Sequence, residues 1–128
     1  MDYYIAKTLQ LPFADAVAKV ISALKDEGFG LLTDIDVSAT MKSKIDADWR
    51  PYRILGACNP QLAYRALQAE DKIGVMLPCN VIVQEREAGQ VEVAAVNPAA
   101  GMDRVGNPAL SEIAEIVRGK LSAVLDRL

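Results

Sequence analysis

The sequence predicts an α+β fold in two layers, a mostly antiparallel sheet with helices packed on one face. Three observations predict it. Apolar residues recur at spacings of three and four over residues 13–24 and 110–128, which is helical periodicity. Short β-branched runs separate these stretches, and one pair of runs is joined by Ala88-Gly89-Gln90 as a hairpin turn. Asn followed by Pro occurs at Asn59-Pro60, Asn97-Pro98 and Asn107-Pro108, and an Asn cap with Pro at the first helical position starts a helix. The order of elements is β-α-β-(short α)-β-α-β-β-α, and 128 residues make one domain over 1–128. A ferredoxin-like variant with an extra helix appended is the alternative arrangement.

Residues 3–9 mix aromatic, β-branched and apolar side chains and read as a first strand. Pro12 suits a first helical turn, and Phe13, Val17, Val20, Ile21 and Leu24 form the stripe of the helix it opens. Gly28 fits the left-handed position that ends a helix. Residues 29–37 read as a second strand, with Leu32, Asp34 and Asp36 on one face and Leu31, Thr33, Ile35 and Val37 on the other. The acidic pair is either a cation or acid/base site or a solvated strand face. Residues 38–48 read as a short helix or surface loop with Ser38 or Thr40 as cap.

Residues 52–57 are a third strand, and Asn59-Pro60 opens a helix with Leu62, Ala63, Ala66 and Leu67 on its apolar side. Residues 73–77 are short and apolar and read in one of two ways. The preferred one is a strand running the same way as the third, which puts Cys58 and Cys79 at one end of the sheet. The other is a loop, with Cys79 then starting the next strand and falling at the opposite end. Pro78-Cys79-Asn80 then forms a turn or bulge before the β-branched residues 81–86. Residues 91–96 return from the hairpin, Asn97-Pro98 starts a short helical turn, and Asn107-Pro108 opens the last helix. Its acidic residues come early and its basic residues late, as the helix dipole favours.

Composition removes several classes of function. The net charge is −3 with no basic block, so the electrostatic footprint of a nucleic-acid binder is missing. There is no histidine, which removes histidine bases, Ser-His and Cys-His pairs and histidine-containing metal sites. Two cysteines cannot make a four-cysteine zinc site alone. No apolar run has the length of a membrane span, and Asp2, Lys7 and Asp15 interrupt any signal-peptide pattern. A cytoplasmic protein with reduced thiols and no membrane partner is expected. The hydrophobic fraction of 52% exceeds the usual range and points to a surface covered by a second copy of the chain.

The candidate site is the pair Cys58 and Cys79, each beside an Asn and a Pro. Cys58 precedes a helix cap, where the positive helix end favours a thiolate. Two thiolates suit a soft ion such as Cu(I), so Cys58 and Cys79 are the candidate metal ligands. Asn59, Asn80 and Arg53 complete a candidate ligand-binding set. The competing reading is that the cysteines pack as small hydrophobes and the asparagines serve as caps and turns. Lys42, Lys44, Arg50 and Arg53 form the only basic cluster, either an anion site or a solvated loop.

Two stretches carry a family resemblance: Asp26-Glu27-Gly28-Phe29-Gly30-Leu31-Leu32-Thr33, and Tyr52-Arg53-Ile54-Leu55-Gly56-Ala57-Cys58-Asn59-Pro60. It continues through residues 63–67, residues 74–83 with their Leu77-Pro78-Cys79-Asn80-Val81 core, and the final helix. Over nearly its whole length the chain resembles the domain of unknown function 302 family. The resemblance implies a compact α+β fold, a homodimer and a small bacterial or archaeal protein, with no established activity, cofactor or catalytic residues. Three readings follow: a binding protein for a small ligand or soft metal, an interaction module whose cysteines only pack, and an enzyme acting through a thiolate. The third needs a nucleophilic Cys58 activated without histidine, by the helix dipole and Arg53.

Overall fold

A computed structural model describes residues 2–128. Five strands, β1 (Tyr4–Leu9), β2 (Gly30–Asp36), β3 (Tyr52–Cys58), β4 (Cys79–Glu87) and β5 (Gln90–Val96), form one sheet in the order β1-β5-β4-β3-β2. Every neighbouring pair is antiparallel. The helices are α1 (Phe13–Asp26), α2 (Val37–Ile45), α3 (Pro60–Ala69), α4 (Pro98–Met102) and α5 (Pro108–Asp126). The predicted α+β class and mostly antiparallel sheet are found.

Alternation along the strands divides the sheet into two faces. Leu55, Ala57, Cys79, Val81, Val83, Val91, Val93 and Ala95 are buried on one face. The helices close over it with Val20 and Leu24 of α1, Ala66 of α3 and Leu110, Leu121 and Val124 of α5. Each of the three Asn-Pro pairs opens a helix, and each Asn side chain accepts a backbone N–H of the first turn. Gly28 ends α1 at φ +86, with its N–H donated to Lys25 O and the Phe29 N–H to Leu24 O. That pair of hydrogen bonds is a Schellman motif and explains the glycine.

On the opposite face the side chains are exposed or only partly buried. One row crosses all five strands there: Ala6 pairs with Ala94, Ala94 with Ile82, Ile82 with Ile54 and Ile54 with Ile35. The next row is polar, with Gln84 Nε2 donating to Glu92 Oε1 at 2.9 Å.

Three local expectations are corrected. Residues 73–77 do not form a strand; Asp71–Met76 is a 3₁₀ segment. Ile73 is buried there while Val75 is 89% exposed, so the apolar run serves as a one-residue plug. A bulge at Leu32 shifts the β2 register between Leu31 and Thr33, so Leu31 shares the face of Asp34 and Asp36. The cap of α2 is Asp36, whose Oδ1 accepts the Ala39 N–H at 2.9 Å, and not Ser38 or Thr40.

Candidate functional site

β3 ends at Cys58 and β4 begins at Cys79, with Ala57 and Cys79 directly paired. Because the two strands are antiparallel, the end of one and the start of the other meet at one end of the sheet. The cysteines therefore come together through a hairpin-like pairing closed over α3 and the 3₁₀ segment. The parallel arrangement expected from residues 73–77 is replaced by this one.

Both cysteines line a single cavity of about 290 Å³ between the sheet end, α3 and α5. Apart from Asn59, every side chain lining it is apolar or carries sulfur. Phe29 and Leu62 stand among the buried walls, and the exposed Leu32 and Leu67 stand at its mouth. Cys58 is half-buried and Cys79 is 8% exposed, and neither is in a disulfide. Burial pushes the Cys79 thiol up to about 11, and the neighbouring Cys58 adds to the shift. Cys79 thus holds its proton at neutral pH.

The other residues of the predicted set divide. Asn59 lines the cavity, but its Oδ1 accepts the Leu62 N–H at 3.2 Å and so caps α3. Asn80 pairs with Gly56 and lines a separate groove of about 420 Å³ on the open sheet face, with Tyr4, Tyr52 and Ile82. Arg53 lies five positions before Cys58, roughly 16 Å away along an extended strand. It does not line the cavity, and its guanidinium is held by both carboxylate oxygens of Asp34.

Several of the other charged candidates have structural partners. Asp34 is engaged by Arg53, Asp36 caps α2, and Lys42 pairs with Asp46 at 2.9 Å. Arg50 stacks 4.1 Å over the Trp49 ring. Among the described residues no group of three or more Cys, Asp or Glu side chains is placed to hold a metal ion. No helix among them is long and apolar enough to cross a membrane. No residue pattern pointed to Met102, which lines the same cavity as the two cysteines from the end of α4.

The family model described as a domain of unknown function, DUF302, matches residues 5–128. The chain is similar to the crystal structure of an uncharacterized conserved protein, DUF302, from Bacillus stearothermophilus. The two are 31% identical, with a TM-score of 0.90 over 98% of this chain and 97% of that one. No curated protein matches the chain.

Proposed function

The chain belongs to the DUF302 family, whose description carries no activity, and from that premise we propose a function built on its own cavity. It is a cytoplasmic binding protein that holds a small ligand or a soft metal ion beside Cys58 and Cys79. The single observation behind this reading is that both cysteines line one largely apolar cavity. A concave apolar site with a few polar or reactive groups is the usual form of a small-ligand site. The groups that could act on a substrate are few, because Arg53 is engaged elsewhere and there is no histidine. Binding is therefore favoured over turnover.

The test is thermal melting of the reduced protein with Cu(I), and separately with indole as an apolar probe. Occupancy by either raises the melting temperature in proportion to the logarithm of its concentration above Kd. Ala66→Phe, which fills the cavity, abolishes the shift while the far-ultraviolet spectrum stays the same. If neither probe shifts the wild-type melt, the binding reading is wrong.

A second reading concerns the open sheet face. We propose that a second copy of the chain covers the Ala6, Ala94, Ile82, Ile54 and Ile35 row. An apolar row across an uncovered sheet face suits a self-complementary contact about a twofold axis. Sedimentation of the wild type as a dimer, and of Ile82→Glu as a monomer, supports it. A monomeric wild type at high micromolar concentration refutes it.

A further inference from the structure

Four of the six sulfur-bearing residues of the chain line two adjoining cavities. The chain has two cysteines and four methionines. Cys58, Cys79 and Met102 line the cavity already described. Cys79 and Met102 also line a second cavity of about 190 Å³, together with Met76. Cys79 and Met102 are therefore the wall shared by two adjoining cavities. Both are buried, whereas Met76 is 44% exposed. The sulfurs come from three separate places: the joint of β3 and β4, the end of the 3₁₀ segment and the end of α4.

Resting on the binding reading above, we propose that the occupant is Cu(I), held by the sulfurs of Cys58, Cys79 and Met102. The donor chemistry selects the ion. No carboxylate lines this cavity, so hard cations that need several oxygen ligands find none. Zinc would find two thiolates and neither histidine nor carboxylate to complete a tetrahedron. Thiolates and thioethers together are soft ligands and select Cu(I).

Charge balance favours the same set. A buried thiolate is costly without a positive partner, and the ion supplies that partner. A thioether adds a third donor without adding charge, which suits apolar walls. On binding, two Cu–S(thiolate) bonds form and each cysteine releases its proton to solvent. The ion enters as Cu(I) and remains Cu(I), so no electron is exchanged. Met76 offers a soft donor at the exposed side of the second cavity, on a path towards Met102.

The experiment is an anaerobic Cu(I) titration of the reduced full chain against a chromophoric Cu(I) chelator. Wild type, Cys58→Ser, Cys79→Ser and Met102→Leu are compared, with X-ray absorption on the loaded wild type and Met102→Leu. The expected result is one Cu(I) per chain, with competition lost in both serine variants. Met102→Leu, of similar volume and checked by its melting temperature, binds at least tenfold more weakly. Absorption then gives three sulfurs around copper in the wild type and two in Met102→Leu. Wild-type affinity in Met102→Leu with two sulfurs throughout overturns the thioether's role and leaves a two-cysteine site standing. No competition by the wild type overturns the copper assignment, while a melting shift with indole would still support the binding reading.

Discussion

Ala57 and Cys79 face each other across the β3–β4 pair, and that single register brings the two thiols of the chain to one cavity. The same pairing puts the Cys79 side chain on the covered face of the sheet, where it is buried, while Cys58 at the strand end stays half-buried. Their reactivity should differ accordingly. Iodoacetamide at pH 7.5 is expected to modify Cys58 in the native protein well before Cys79, because the thiolate is the nucleophile and burial suppresses it at Cys79. Peptide mapping over a time course checks this, and equal rates at the two sites would contradict it.

Cys79 should also make the fold sensitive to alkali. Its folded pKa is raised to about 11, above the ordinary thiol value of 9.0. The folded state then keeps a proton that the unfolded state has lost. Its contribution to stability is complete below about 9 and declines as pH rises towards 11, by roughly 2–3 kcal/mol in total. Urea denaturation of the wild type between pH 8 and 10.5 should show that slope. Cys79→Ala should flatten it, and an unchanged slope would dismiss the assignment.

Asp34 and Arg53 give the opposite dependence. The Arg53 guanidinium, hydrogen-bonded to both oxygens, holds the Asp34 carboxyl below its usual range. The benefit is present above the ordinary carboxylate value of 3.8 and is lost as pH falls through the lower folded value. The pair is partly exposed, so its worth is about 1 kcal/mol or less. Asp34→Asn should cost that amount at pH 7 and nearly nothing at pH 2, as read from denaturation midpoints at the two pH values.

Gly56 tests the packing of the sheet end. A Cβ built there would stand 2.1 Å from Thr33 Oγ1 and 2.8 Å from Pro78 Cγ. The proline ring cannot turn aside, so Gly56→Ala should destabilise by about 1–3 kcal/mol. Removing the threonine contact with Thr33→Ala should recover only part of that loss. A neutral Gly56→Ala in thermal melting would mean the strands separate there at little cost.

Local chemistry made most of the elements legible. Asn59, Asn97 and Asn107 announce their helices because cap and proline act within one turn. The stripe of α5 reads directly, since Leu110, Ile113, Ala114, Val117, Leu121 and Val124 are all buried. Residues 73–77 misled because five apolar residues are too short for their period to separate a strand from a turn. Leu32 misled because one bulged residue inverts every face assignment on one side of it. That Cys58 and Cys79 line one cavity depends on strand direction, and that Met102 lines it too depends on how α4 packs against α5. Neither long-range relation has a signature in residue spacing.

The position of β1 has a consequence for how the chain acquires its structure. β1 pairs only with β5, from Tyr4 opposite Val96 to Leu9 opposite Val91. Lys7 Nζ, on the same strand, donates to Leu128 O at 2.8 Å beyond the end of α5. During synthesis β1 thus waits for a partner made roughly ninety residues later. β2 to β5 can zip together in sequence while β1 and the end of α5 are still unpaired. Docking of β1 closes the longest loop in the sheet, so it is expected late in folding and early in local opening.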